Sequence, residues 1–102
     1  MYGPEPKGHW TQRPGATPGA AHQHLVAGKK YAVVKAFRDF DQTLHPVGEA
    51  WRFIGFSFSP YDDGLSYFVS LDDEHEWQIR LQWSKEAQGP IIDDLGSYVK
   101  EA

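Results

Sequence analysis

The chain has 102 residues, a formal net charge of −4, 15% aromatic residues and no cysteine. Its length indicates one domain, and the lack of cysteine excludes disulfides and cysteine-ligated zinc or iron–sulfur centres. A general nucleic-acid binder usually presents a basic face. The acidic balance therefore argues against nucleic acid as the main partner.

Membrane and secretory signals are missing from the sequence as printed. No stretch approaches the roughly 18 apolar residues of a membrane span. The first ten residues contain no apolar run of the kind found in secretory signals. We therefore expect a cytoplasmic protein with no membrane contact, and a monomer.

Residues 1–24 are rich in proline and glycine, and only Tyr2 and Trp10 offer a large apolar anchor. A segment that buries so little surface does not offset the entropy of ordering it, so we predict a disordered tail. His22 and His24 would lie on one side of an extended segment and could meet a transition metal. A flexible tail fixes no ligand geometry, and no metal site is predicted there.

The residues from 25 onward favour a β-rich domain. Alternating apolar residues and turn signals predict four strands. The stretch from Gly48 to Leu71 supplies most of the aromatic core as a hairpin, and Gly55 is the natural site for a bend or bulge. The fourth strand alternates most regularly. The predicted strands are Lys29–Phe40, Glu49–Ser59, Leu65–Leu71 and Glu76–Trp83.

The periodicity changes near the C-terminus. Pro90 suits the first position of a helix, and apolar residues then recur at helical spacing. We predict a C-terminal helix whose apolar stripe packs on the sheet and covers the inward face of the fourth strand. The stripe consists of Ile91, Ile92, Leu95, Tyr98 and Val99.

Three short segments occur in a characteristic order: Tyr31-x-Val33, then Phe37-x-Asp39-Phe40, then Gly48-Glu49-x-Trp51-x-Phe53. This order resembles small SH3-like barrels over residues 29–83. Residues 28–98 also resemble an uncharacterised bacterial family of domains of unknown function, which implies a fold but no activity. The predicted fold is mainly β (α+β). It is a small antiparallel, partly open SH3-like barrel of four to five strands with a C-terminal helix, occupying residues 25–102 as one domain.

Catalytic and nucleotide-binding signatures are absent. The chain has no GxSxG motif, no GxGxxG motif and no phosphate-binding GxxxxGK[ST] loop. We therefore predict no catalytic residue, no cofactor and no metal. The leading hypothesis is a non-catalytic module that binds a protein or peptide. The SH3-like resemblance implies an aromatic, acidic groove for proline-rich ligands, formed here by Phe40, Asp41, Trp51 and Tyr61.

Two alternatives belong to other functional classes. In a small hydrolase or metal-dependent enzyme using the first loop, His45 would be the base, oriented by Glu49 or Asp41. That hypothesis requires Asp39, His45 and Glu49 to meet within hydrogen-bond reach. In a single-stranded nucleic-acid module, basic residues would have to share one face around exposed aromatics. Those residues are Lys29, Lys30, Lys35, Arg38, Arg52 and Arg80.

Overall fold

The computed structural model describes residues 1–102, and antiparallel strands dominate it. Only two short helical segments interrupt them: α1 (Gly89–Ile92) and a 3₁₀ turn (Leu95–Ser97). Neither is long and apolar enough to cross a membrane. The strands are β1 (Tyr2–Pro6), β2 (Ala21–His22), β3 (Leu25–Val26), β4 (Lys30–Val33), β5 (Phe37–Arg38), β6 (Leu44–His45), β7 (Ala50–Ser59), β8 (Gly64–Ser70), β9 (His75–Gln82) and β10 (Val99–Glu101).

Six strands form the main sheet in the order β1-β9-β8-β7-β4-β10, with every neighbouring pair antiparallel. Strands β1 and β10 are its two edges, so the sheet does not close on itself. Strands β2 and β3 form a separate small ladder, and β5 and β6 form another. The mainly β antiparallel class is thus confirmed, whereas the SH3-like barrel is not.

The β7–β8–β9 meander follows the sequence pattern closely. Its strands lie within about one residue of the predicted second, third and fourth strands. The register of β7 against β8 shifts between Phe53 and Gly55, where a bend or bulge was expected. The predicted first strand, in contrast, is divided. Strand β4 ends at Val33, and β5 then leaves the main sheet to pair with β6.

The core lies on one face of the main sheet and is built largely from aromatic and branched residues. Trp51, Tyr31 and Phe53 are its largest fully buried side chains. On β9, Ile79 and Leu81 point inward as the alternation predicts. Trp77 and Trp83 are only half-buried and pack against the margin of the core.

The N-terminal segment is part of the fold, which contradicts the predicted disordered tail. Strand β1 pairs with β9, and Gly19 forms an antiparallel bridge with Phe56. The carboxylate of Glu76 is buried and accepts hydrogen bonds from the backbone N–H groups of Gly8 and Trp10. The prediction weighed only apolar surface. Backbone and charge-assisted hydrogen bonds supply the ordering free energy instead.

The C-terminal segment is compact but not one helix. Helix α1 has four residues, the 3₁₀ turn has three, and the chain then enters β10 beside β4. The predicted long helix is therefore not confirmed. Its apolar stripe does pack as expected, because Leu95 is buried while Ile91 and Tyr98 pack against the core. Pairing with the free edge of β4 gives the backbone N–H and C=O groups of the last residues hydrogen-bond partners on another strand.

Candidate functional site

The largest concavity is a cleft between residues 10–19 and the β7–β8 hairpin. It encloses about 600 Å³, within the range typical of ligand sites. We call it the aromatic cleft, because four of its lining side chains are aromatic: Trp10, Phe56, Phe58 and Phe68.

The walls of the aromatic cleft are held by specific contacts. Trp10 stacks over Phe68 with ring centroids 6.3 Å apart and an interplanar angle of 21°. The backbone N–H of Trp10 donates to the buried Glu76 carboxylate at 3.1 Å, which fixes the position of the indole-bearing turn. Phe58, also in the lining, meets Trp83 edge to face at 5.6 Å and remains 41% exposed. An exposed ring held by a neighbour is a pre-organised contact surface.

Two glycines bring the N-terminal segment close to β7. Gly19 and Phe56 exchange backbone hydrogen bonds of 2.8 and 3.0 Å. A Cβ on Gly55 would lie 2.9 Å from the carbonyl oxygen of Gly19. A Cβ on Gly19 would overlap the Phe56 ring. Only glycine at both positions permits this approach, and both Gly19 and Phe56 line the aromatic cleft.

Arg13 is the one charged side chain that lines the aromatic cleft. Its Nε donates to the backbone carbonyl of His9 at 3.1 Å. That hydrogen bond ties the stem of the side chain to its own turn, and the two terminal nitrogens have no partner in the protein. The cleft therefore combines aromatic and polar lining residues with a single positive charge.

The two histidines of the HxH pair diverge and form no metal site together. His22 Nδ1 lies 2.9 Å from the hydroxyl of Tyr67, among the rings of Phe56 and Trp83. Burial lowers the pKa of His22 and raises that of Tyr67. Nε2 of His24 instead lies 2.6 Å from the carbonyl oxygen of Val99.

The four residues of the predicted groove do not form one surface. Trp51 is only 2% exposed and packs beside Tyr31 in the core, so its assignment to a binding surface is wrong. Its position on the inward face of β7 explains the burial. Phe40 is 47% exposed, and Tyr61 is 98% exposed at the β7–β8 turn.

Asp41, the remaining residue of the predicted groove, is engaged within the protein. Arg80 donates to both of its carboxylate oxygens, at 3.0 and 2.6 Å, and Tyr2 donates to one of them at 2.9 Å. The Arg80 hydrogen bonds lower the pKa of Asp41. The Arg80 guanidinium lies 5.3 and 5.4 Å from the ring centroids of Tyr2 and Phe40. These contacts define the Phe40 surface: Tyr2, Phe40, Asp41 and Arg80.

The hydrolase hypothesis required Asp39, His45 and Glu49 to meet, and they do. Nε2 of His45 lies 2.8 Å from Asp39 Oδ2, and its Nδ1 lies 2.6 Å from Glu49 Oε2. Asp39 also accepts hydrogen bonds from the backbone N–H groups of Asp41 and Thr43. Both ring nitrogens of His45 thus face carboxylates, and the side chains of His45 and Asp39 are fully buried.

The charge state of His45 follows from these neighbours. Burial alone would lower its pKa, but the hydrogen bonds and charges of Glu49 and Asp39 outweigh burial and raise the pKa. A general base needs a free nitrogen lone pair directed at substrate. His45 has none, so the arrangement is suited to joining β6 to its neighbouring loops.

The basic residues do not offer a continuous path for phosphates. Four of the six residues that the nucleic-acid hypothesis requires are paired with carboxylates: Lys29 with Glu101, Lys30 and Arg52 with Asp73, and Arg80 with Asp41. Lys35 lies over the ring of Tyr98, away from these pairs. Pairing at the surface reduces the positive potential that a nucleic-acid backbone needs.

One acidic cluster occupies the β8–β9 turn. Ligand atoms of Asp72, Glu74 and His75 lie within 4.8 Å of one another. Asp72 accepts the backbone N–H groups of Glu74 and His75 at 2.8 Å each, and these bonds, with the nearby His75 ring, hold its pKa at about 2. The hydrogen bonds account for the cluster as a turn structure.

The fold and the cleft define a small, open antiparallel β domain with an aromatic concavity of ligand size. Residues 19–101 match the family described as "Domain of unknown function (DUF3601)", and the chain belongs to that family. This confirms the expected relationship to an uncharacterised bacterial family. A comparison with curated proteins gave no match.

A solved structure shares the fold. It is an integron cassette protein from the mobile metagenome of Vibrio cholerae, with 35% sequence identity and a TM-score of 0.80. The similarity covers 83% of this chain and 93% of that one. The family match begins at residue 19, so Trp10 and Arg13 of the aromatic cleft lie outside the matched region.

Sequence reasoning missed Trp10 and Arg13 because both fall in the segment predicted to be disordered. Trp10 was the sequence feature that could have indicated that this segment packs on the domain. A tryptophan in an otherwise polar Pro/Gly segment has a large apolar surface that favours packing on the domain.

Proposed function

We propose that this protein is a non-catalytic binding module that takes an extended peptide of a partner protein into the aromatic cleft. The single observation that supports this most is the cleft itself, about 600 Å³ in volume and walled by four aromatic rings. Aromatic rings provide large contact area at low entropic cost, which is why they dominate binding hot spots.

The backbone around the aromatic cleft also favours an extended ligand. The chain's own Pro18 and Gly19 already run antiparallel to β7 at Phe56. This edge of β7 therefore accommodates proline-containing backbone at close range. Recognition of a second such segment would use the same physical chemistry as known peptide-binding grooves.

The Phe40 surface supports the proposal less well. Its charged groups, Asp41 and Arg80, satisfy each other, and the adjoining cavity of about 190 Å³ is smaller. The hydrolase alternative is also less favoured, because both nitrogens of His45 face buried or half-buried carboxylates.

The experiment selects peptides from a random 12-residue phage library on the full chain. A synthetic copy of the best peptide is then titrated by fluorescence anisotropy against the parent, Phe58→Ala and Phe40→Ala. The two phenylalanines form a matched pair, because they are 41% and 47% exposed and lie in the aromatic cleft and on the Phe40 surface respectively. Urea denaturation of each variant establishes that it remains folded.

We expect Phe58→Ala to weaken binding by about tenfold or more, the loss typical of an aromatic hot spot, and Phe40→Ala to leave affinity unchanged. The reverse result would move the peptide to the Phe40 surface and overturn the cleft as the site. Failure to enrich any peptide would overturn the peptide-binding function.

A further inference from the structure

Resting on the proposed function, we infer that the peptide recognised by the aromatic cleft carries a carboxylate next to its apolar anchor, and that Arg13 pairs with that carboxylate. The inference deepens the proposal by naming the ligand's charge. It predicts selection against neutral and basic peptides, which aromatic walls alone would accept.

The lining of the aromatic cleft carries the argument. Of its 11 residues, Arg13 alone is charged, and none is acidic. A carboxylate in the cleft would therefore meet one cation and no repelling anion from the lining. An ammonium group in the cleft would be repelled by Arg13 and would find no acidic partner in the lining.

The geometry of Arg13 adds to this. Its Nε is already bound to the carbonyl of His9, so the head group is partly positioned before any ligand arrives. The two terminal nitrogens present a planar pair of donors, which matches a carboxylate in bidentate fashion. Positioning in the free state lowers the entropy lost on binding.

One guanidinium matches one carboxylate better than it matches a phosphate. A phosphoryl group carries roughly −1.5 to −2 charge at neutral pH and is usually met by several basic groups. Four of the other nine lysine and arginine side chains are paired with carboxylates elsewhere, and none of the nine lines the cleft. The carboxylate can come from an acidic side chain or from the end of a peptide chain.

The test uses three short peptides as probes on the ¹⁵N-labelled full chain. N-acetyl-Trp-Glu-amide carries an acidic side chain, N-acetyl-Trp-Gln-amide is its uncharged counterpart, and N-acetyl-Gln-Trp with a free carboxylate represents a chain end. The reporter is the indole N–H signal of Trp10, identified from its loss in Trp10→Phe. Arg13→Gln removes the cation, and Arg38→Gln is a control with the same charge change at an exposed arginine outside the cleft.

We expect the Trp-Glu peptide to half-saturate the Trp10 shift at a concentration about three- to tenfold lower than the Trp-Gln peptide, as one partly exposed ion pair would give. Arg13→Gln should remove that difference, and Arg38→Gln should keep it. A response of the chain-end peptide equal to that of Trp-Glu would support a terminal carboxylate, and a weaker one would support an acidic side chain.

Two results would overturn the inference in different ways. If the Trp-Glu and Trp-Gln peptides both shift the Trp10 signal and half-saturate it at the same concentration, the inferred carboxylate recognition is wrong. The cleft would still be a binding site. No Trp10 shift with any peptide would remove the proposed function and this inference together.

Discussion

The imidazole of His45 and the carboxylate of Asp39 form a fully buried ion pair, with Nε2 and Oδ2 separated by 2.8 Å. Glu49 contacts the other ring nitrogen at 2.6 Å. A buried cation between two carboxylates costs desolvation and is stable only when all partners are present. The Met1 ammonium also lies 3.0 Å from Asp39 Oδ2, so the cluster contains a second cation.

Replacing His45 with Gln should lower the free energy of unfolding by about 1.5–3 kcal/mol, the range for hydrogen bonds to charged groups, because Glu49 loses its cationic partner while Asp39 keeps the Met1 ammonium. Urea denaturation followed by tryptophan fluorescence measures the change. His75→Gln is the control, since His75 and Asp72 are more than 40% exposed and such surface pairs contribute below about 1 kcal/mol. Equal losses in the two variants would show that the His45 cluster is not a structural centre.

The raised pKa of His45 predicts a pH dependence of stability. Because the native state holds this proton more tightly than the unfolded chain, the contribution is complete below about pH 6.5, the unfolded value. It is lost as pH rises through the higher native pKa. The stability difference between parent and His45→Gln should therefore shrink as pH rises above about 6.5.

The pH dependence has to be taken from the difference between the parent and His45→Gln, because His22 changes the folding stability with pH in the opposite direction. Burial lowers its pKa, so its native state favours the neutral ring, and its effect disfavours folding as pH falls below about 6.5. Urea denaturation of both proteins at a series of pH values gives the difference directly. A difference that stays constant across neutral and alkaline pH would mean that His45 does not gain a proton on folding.

Glu76 should control the order of the N-terminal segment. Glu76→Gln keeps the shape of the side chain but replaces a charged acceptor of the Gly8, Trp10 and Thr11 groups. We expect a loss of about 1.5–3 kcal/mol, the usual range for hydrogen bonds to charged groups. Hydrogen exchange should accelerate across residues 2–11.

The control for this variant is Glu74→Gln, an exposed glutamate on the adjoining turn. Hydrogen exchange at residues 2–11 should be the same in Glu74→Gln as in the parent. If Glu76→Gln left the exchange of these residues untouched, the buried carboxylate would not be what orders the segment.

The close approach of Gly19 to Phe56 predicts a steric penalty. Alanine at Gly19 would overlap the Phe56 ring, and overpacking of this kind typically costs about 1–3 kcal/mol. Gly96→Ala is a matched control, because a Cβ there meets nothing within 4 Å. Thermal and urea unfolding of both variants provide the measurement. A Gly19→Ala protein as stable as Gly96→Ala would show that β7 and the N-terminal segment do not approach closely.

Leu95 tests the packing of the C-terminal segment. Leu95 is 1% exposed. We therefore expect Leu95→Ala to lower the free energy of unfolding by about 2–5 kcal/mol, the cost of emptying a buried leucine site. Val34→Ala, at a position 42% exposed, should change stability by less than about 0.5 kcal/mol. Chemical denaturation of Leu95→Ala and Val34→Ala measures the loss of unfolding free energy in each. Near-equal midpoints would make the C-terminal segment peripheral.

The candidate site was only partly predictable from the sequence. Phe40 and Tyr61, which adjoin acidic residues in the sequence, are exposed, whereas Trp51 was placed on a surface although it belongs to the core. Residue type does not distinguish the two, because aromatic residues serve both cores and interfaces. Trp10 and Arg13 were missed because their order depends on Glu76, which is 66 residues from Trp10 in the chain.

Local periodicity in the sequence determined the β7–β8–β9 meander, the irregularity at Gly55 and the inward face of β9, since strand alternation and turn chemistry act over a few residues. Tertiary structure alone decided the two edges of the sheet. Strand β1 adds to β9, and β10 adds to β4 in place of a helix. An unpaired sheet edge exposes N–H and C=O groups that a distant segment can satisfy. That gain depends on which segments meet in space, and no local pattern encodes it.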